Sequence, residues 1–298
     1  MTEENTPRHT NMLIIGSGPA GLAAALYGAR ANRNPIVLTG MDLGGQVSKT
    51  HAVENYPGFP EGISGEGLVQ AFHEQAERFG AEVIFDIATE VDFSERPYKV
   101  KTYGESFTAD TIIISTGAAA VTLDIPGEEE MVGRGVSYCA TCDGHFFKDM
   151  DVVVVGGGDS ALEEALYLTR HASSVKIIHR RDELRAGSIL KQRAEENPKI
   201  SFVWDTVVTE VITGEKLASV KVKNVKTEEE REIATGGLFI FIGHTPNTEL
   251  FAGQLAVDDR AYLKVDHLMQ TNLEGVYAAG EVADPHFRQV ITSAGMGA

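Results

Sequence analysis

Two stretches of the chain carry the same succession of apolar and polar positions. "MLIIGSGPAGLAAALYGARANRNPIVLTG" runs from Met12 to Gly40 and "VVVVGGGDSALEEALYLTRHASSVKIIHR" from Val152 to Arg180, aligned without gaps at a shift of 140 residues. Each opens with a short apolar run, turns through glycines, continues as an Ala/Leu-rich stretch and closes on a second apolar run. Short β-branched runs bounded by glycine read as buried strands, and the Ala/Leu stretch reads as a helix. The pattern predicts strand–helix–strand twice, and with it two parallel-sheet units of α/β type.

The turns carry the first candidate chemistry. Gly16, Gly18 and Gly21 form a GxGxxG with Pro19 and Ala20 inside it, and Gly156, Gly158 and Ala161 form a GxGxxA. In a dinucleotide site the first glycine permits the tight turn and the second admits the pyrophosphate. The third small residue lets helix and strand pack closely. The ordinary alternative is a glycine turn with no ligand, and two copies in register weigh against it. The residue ending the second strand reports on the ribose, where an NAD site places Asp or Glu. Here those positions hold Thr39 and His179. Beyond His179, Arg180, Arg181 and Arg185 gather cations where a 2′-phosphate lies, and guanidinium forks suit phosphate. A solvated basic face is the competing reading, and NADPH is the expected ligand of the second copy.

FAD, which shares the adenosine and pyrophosphate, is the expected ligand of the first copy. "GMDLGGQ", with Gly45 and Gln46, allows close backbone approach, and "ENYPGFP", with Asn55, reads as a rigid polar loop. "GVYAAGEVAD" reads as a buried strand ending at Gly280, with Glu281 placed to accept hydrogen bonds from flavin hydroxyls. The strand-like "TIIISTGAAA" ends in small residues at Thr116 and Gly117, and "GLFIFIGHTPNT" is the matching return. One domain inserted in another is therefore expected, with the FAD domain at 1–117 and 246–298 and the NADPH domain at 118–245.

Composition narrows the partners. Of 298 residues, 43% are hydrophobic and 23% charged, as in ordinary globular proteins. The formal net charge of −17 argues against nucleic acid and against anionic membranes. No apolar run approaches the ~20 residues of a membrane span. The polar opening "MTEENTPRHT" reads as a tail without a signal segment, so a cytoplasmic location is expected.

Both cysteines, Cys139 and Cys142, stand in "SYCATCDGHFF". A pair at this spacing can be half a metal site, a redox disulfide or a structural filler. Zinc needs three or four protein ligands, there is no second CxxC and His145 is the only nearby histidine, so no metal is expected. Asp143 is the nearest proton donor or acceptor, although "DG" is also a common turn pair.

"GSGPAGLAAALYGARA", "GGQ", "ENYPGFP", "YCATCDG", "GGGDSALEEA", "HRRDELRA", "GHTPN" and "RQVITSAGMGA" together resemble the low-molecular-weight thioredoxin reductases, in the right order over nearly the whole chain. The resemblance implies a homodimer of two-domain chains, each domain Rossmann-like, passing electrons from NADPH through FAD and a Cys139–Cys142 disulfide to thioredoxin. It assigns Gly16, Gly18, Pro19, Ala20, Gly21, Gly45, Gln46, Asn55, Thr116, Gly117, Gly280 and Glu281 to FAD. Arg288, Gln289 and Val290 would lie beside its ring or ribityl chain. Gly156, Gly158, Asp159, Ser160, His179, Arg180, Arg181 and Arg185 would hold NADPH, and Asp143 would be the acid–base partner of the disulfide. Three features depart from the family pattern: Glu281 replaces Asp, His51 replaces a small or polar residue, and the chain stops at "GMGA" where a C-terminal helix is expected to follow.

One geometric expectation follows. A single cysteine pair must be reduced at the flavin and then reach a protein disulfide, while nicotinamide must reach the same flavin from the domain that carries the pair. Rotation of the inserted domain between two positions is expected. The rival readings are a relative serving another acceptor, one reduced by another donor, and a nucleotide-binding protein without turnover, which would have no use for the cysteines.

Overall fold

The computed structural model describes residues 6–50 and 52–298, so residues 1–5 and His51 lie outside the described residues. The chain forms two compact units, Met1–Ala119 with Thr245–Ala298 and Ala120–His244. Both are α/β, as the repeated pattern predicts.

In the first unit Glu82–Ile84, Pro35–Leu38, Arg8–Ile15 and Ser106–Ile114 lie side by side and parallel. Strands of this kind are covered on both faces, which accounts for the unbroken "LII" and "IVL" runs. Leu13, Ile36 and Leu38 face a core with Phe107 and Ile112 on one side. Ile14 and Val37 meet Ala24, Ala25 and Ala29 of the helix Pro19–Arg30 on the other. Tyr98–Thr102 pairs antiparallel with the early half of Ser106–Ile114, and Val276–Ala278 joins its later half in parallel. The first strand begins at Arg8, inside the opening segment that reads as a tail. Arg8, His9 and Thr10 pair with Phe107, Thr108 and Ala109, so ladder hydrogen bonds outweigh local polarity there.

The second unit holds five parallel strands in the order Ile200–Val203, Ser174–Ile178, Asp151–Val155, Gly237–Ile240, Val136–Ser137. Val152, Val154 and Ile177 pack with Leu162, Ala165 and Leu168 of the helix Asp159–Leu168. On the opposite face Val153, Val155 and Ile178 meet Val208, Val220 and Val222. These last belong to an antiparallel meander, Thr206–Ile212, Ser219–Asn224 and Glu230–Ala234. Two-faced burial again explains the "VVVV" run, which has no polar alternation.

The stretch Val290–Gly297, which sequence reading did not assign, is helical. Its Gln289 and Thr292 form a reciprocal cap. Gly297 passes so near the first helix that a Cβ would lie 2.1 Å from the Ala20 carbonyl oxygen. Glycine is required there by packing, at odds with its poor helix propensity.

Candidate functional site

The glycine turns sit at the carboxyl ends of the parallel strands Arg8–Ile15 and Asp151–Val155, where open α/β sheets bind ligands. Gly16 has φ +109°, and a Cβ on it would lie 2.3 Å from the Ser115 carbonyl oxygen. A Cβ on Gly21 would lie 2.1 Å from the Gly16 oxygen, so these two glycines serve the packing. Gly18 is different, with extended backbone (φ −65°, ψ 178°) and nothing within 4 Å of a Cβ. The second turn repeats the scheme. Gly156 has φ +152° and a Cβ 2.5 Å from the Phe241 oxygen, whereas Gly158 again meets nothing within 4 Å. Neither helix carries a side-chain cap, so its first amides await another acceptor. A pyrophosphate supplies that acceptor where the middle glycine leaves room, and these residues fit a dinucleotide.

Around the first turn, the structure brings several of the expected residues together. Ser17 Oγ donates to the Thr39 carbonyl (3.1 Å) and accepts from the Gly44 amide (3.1 Å), tying the turn to the Gly45–Lys49 segment that carries Gly45 and Gln46. Asn55 donates to Gln289 Oε1 at 3.1 Å. Thr116 Oγ1 donates to the Asn247 carbonyl (2.7 Å) and Asn247 Nδ2 to the Thr116 carbonyl (2.8 Å). Asp284 accepts from the amides of His286 (2.9 Å), Phe287 (3.0 Å) and Arg288 (3.2 Å), holding Arg288 at φ +50°. Ser17, Asn247 and Asp284 are positioning residues that sequence reasoning missed. Burial pushes the Glu281 carboxyl up to about 7, with Arg288 opposing and Asp284 adding to the rise.

The second turn leads to a cavity of about 520 Å³ lined by Arg180, Arg181 and Arg185 among others. These three are exposed, but His179 is buried and only 5% exposed. Its ring lies against Gly157, where a Cβ would come within 2.4 Å of it. Burial, aided by the arginines, keeps its pKa below the usual histidine range. Asp159 Oδ1 accepts from the Gly187 amide at 2.7 Å, and Ser160 is exposed in the first turn of the helix.

Cys139 and Cys142 are joined as a disulfide with Cα atoms 5.3 Å apart. Cys139 caps the short helix Ala140–Asp143 and Cys142 lies within it, its amide donating to Cys139 Sγ at 3.2 Å. Such a bond stabilises a thiolate once the disulfide opens. Asp143 donates nothing when ionised and accepts from Ser137 Oγ at 2.6 Å. The same hydroxyl lies 3.2 Å from the Cys139 carbonyl and 3.1 Å from the Cys139 amide. Ser137 is only 3% exposed and thereby fixes the acid to the cysteine backbone. Burial raises the pKa of Asp143, while the Ser137 hydrogen bond and the charge of His145 act against the rise. Tyr138, the next residue, donates to buried Glu128 at 2.8 Å, and Glu128 also accepts from the Leu123 amide at 3.0 Å.

Ser137→Ala removes a bond that favours the charged carboxylate, so Asp143 keeps its proton to higher pH. The titration of the Asp143 carboxyl is expected to move upward by about one pH unit, the worth of one charge-assisted hydrogen bond, as followed by pH-dependent NMR or infrared spectroscopy of the carboxyl. Ser137→Thr, which keeps the hydroxyl, is expected to restore it. An Asp143 titration that stays in place in Ser137→Ala contradicts the coupling.

Two dinucleotide cradles and a disulfide held beside a buried carboxyl define an α/β protein equipped for two-electron exchange between nucleotide and sulfur. The chain matches the pyridine nucleotide-disulphide oxidoreductase family over residues 10–297 and belongs to it. It is 52% identical over 293 residues to a thioredoxin reductase of Rickettsia felis, covering 97% of this chain and 94% of that one. A thioredoxin reductase of Streptomyces coelicolor is 52% identical over 290 residues, covering 96% and 90%. Among solved structures, the thioredoxin reductase of Streptococcus pyogenes superposes with a TM-score of 0.92 at 43% identity, covering 98% of this chain and 95% of that one. That of Lactococcus lactis, in its FR conformation, gives 0.65 at 45% identity, covering 97% and 95%. Among the described residues no helix is long and apolar enough to cross a membrane.

Proposed function

We propose that this chain is a thioredoxin reductase, taking electrons from NADPH through FAD to the Cys139–Cys142 disulfide and on to the disulfide of thioredoxin. The observation that carries the reading is the disulfide itself, held beside Asp143 in a unit that also contains the second dinucleotide cradle. FAD supplies a carrier that accepts hydride from nicotinamide and delivers an electron pair to sulfur. Gly16, Gly18 and Gly21, with Pro19, Ala20, Gly45, Gln46, Asn55, Thr116, Gly117, Gly280, Glu281 and Arg288 to Val290, hold it in the first unit. Gly156, Gly158, Asp159 and Ser160 receive the pyrophosphate of NADPH, and Arg180, Arg181 and Arg185 receive its 2′-phosphate. His179, buried beneath Gly157, shapes that turn from below.

Once the disulfide is reduced, one cysteine attacks the partner disulfide as thiolate and the other resolves the mixed disulfide. Asp143 holds or returns the proton that this exchange moves. The inserted domain, residues 118–245, rotates between a position that presents the cysteines to the flavin and one that presents nicotinamide. Support comes from the single cysteine pair, which must meet the flavin and then a protein disulfide, while nicotinamide must reach the same flavin from the unit that carries the pair. A homodimer is the proposed assembly and the cytoplasm the proposed compartment.

The test is an anaerobic titration of the purified holoprotein. NADPH is expected to bleach the flavin absorbance fully only with a second equivalent, because the first electron pair can pass on to the Cys139–Cys142 disulfide; NADH is expected to act far less effectively, and oxidised thioredoxin to restore the absorbance. A protein that binds no flavin, or flavin that responds to neither nucleotide, overturns the reading. A cross-link between the domains is expected to stop turnover, with flavin reduction by NADPH surviving only where the nicotinamide position is the one locked, and full multi-turnover activity in the locked protein contradicts rotation.

A further inference from the structure

The arginine cavity of the second unit contains a cation that lies outside the "HRRDELR" motif. Lys226 sits at the tip of the hairpin between Ser219–Asn224 and Glu230–Ala234, and lines the cavity together with Arg180, Arg181 and Arg185. Two backbone bonds fasten that tip to the arginine loop. The Asp205 amide donates to the Arg181 carbonyl at 3.2 Å, and the Val225 amide donates to the Asp205 carbonyl at 2.6 Å. Lys226 Nζ then lies 2.8 Å from Asp182 Oδ2 and 3.0 Å from Asp205 Oδ1.

These contacts place the ammonium without burying it, since its side chain is 58% exposed. An ammonium has three N–H donors, and two carboxylate partners leave one for a further acceptor. Four cations against the carboxylates of Asp182, Glu183 and Asp205 line this cavity, on a chain whose formal charge is −17. Glu183 is in turn engaged by Lys191 at 3.5 Å. A dianionic phosphate is the ligand chemistry that such a setting favours.

We propose that Lys226 is a specificity-determining residue for NADPH over NADH, offering the 2′-phosphate a fourth cation from a hairpin outside the arginine motif. The two carboxylates act as its positioning partners, setting where the ammonium stands before the nucleotide arrives. This inference rests on the reading that the second cradle holds NADPH.

The experiment measures kcat/KM of the holoenzyme for NADPH and for NADH at low ionic strength, where exposed charges are least screened. Lys226→Met is expected to lower the NADPH-to-NADH ratio about tenfold, the worth of one charged hydrogen bond. Lys226→Arg is expected to restore most of it. 2′-AMP, used as a competitor of NADPH, is expected to weaken by the same factor in Lys226→Met, whereas 5′-AMP does not. An unaltered ratio, or equal losses with both nucleotides and both competitors, overturns the role of Lys226 and leaves the NADPH reading standing. A wild-type enzyme that uses both nucleotides alike overturns both.

Discussion

Cys142→Ser is expected to reduce thioredoxin-dependent turnover by at least about a thousandfold, a loss of the size seen when a covalent catalytic group is removed. Flavin reduction by NADPH is expected to survive in the same protein. The physical reason is the separation of tasks along the chain. Cys142 contributes its sulfur to the disulfide and its amide to Cys139 Sγ, whereas the nucleotide turn is built from Gly156, Gly158 and the Phe241 carbonyl. The fold should tolerate the change. A disulfide closing so small a ring stabilises by on the order of 2 kcal/mol in the chain-entropy account, and the surrounding core of Ala140, Phe147 and Leu168 is untouched. Stopped-flow reduction by NADPH and steady-state thioredoxin reduction, measured on one preparation, check both halves. Turnover above a tenth of wild type removes the cysteine pair from the electron path, and flavin that NADPH no longer reduces shows that Cys142 serves the nucleotide site as well.

The repeated unit is legible in sequence because its determinants are local. A strand buried on both faces must be apolar throughout, a turn that brushes the next strand must be glycine, and both facts print themselves as "LIIGSG" and "VVVVGGG". The CxxC and the arginine motif are local in the same way. What escaped is held by contacts between distant positions. Asn247 reaches Thr116 across the insertion, and Lys226 reaches Asp182 from a hairpin whose "VKTEEE" reads as an ordinary polar turn. Ser137 stands only two residues before Cys139, yet its role depends on a bond to Asp143 formed when the short helix folds back. The helix Val290–Gly297 was hidden for another reason. Two glycines weaken its propensity, and the need for one of them arises only from the first helix it packs against.

Neighbouring glycines in one turn should answer substitution in opposite ways. Gly18→Val is expected to yield folded protein that has lost flavin affinity by at least about a hundredfold, the cost of displacing a pyrophosphate from several charge-assisted bonds. Gly18 has ordinary extended backbone and open space where a side chain would go, so the cost to folding is about that of a poorer N-cap, up to ~1 kcal/mol. Gly16→Val is expected to fail earlier. Its φ of +109° and the Ser115 oxygen 2.3 Å from a Cβ leave the substituted chain no relaxed conformation, and insoluble or unfolded protein should result. Gly158→Val extends the contrast to the second unit, where the open position repeats. There the flavin stays bound and reducible by dithionite, but NADPH reduces it only at much higher concentration. Flavin content per chain, circular dichroism and the NADPH concentration needed for half-reduction separate the three outcomes. Full flavin content in Gly18→Val would mean that the open space above the first turn is not where the dinucleotide lies, and the assignment of FAD to that cradle would fall with it.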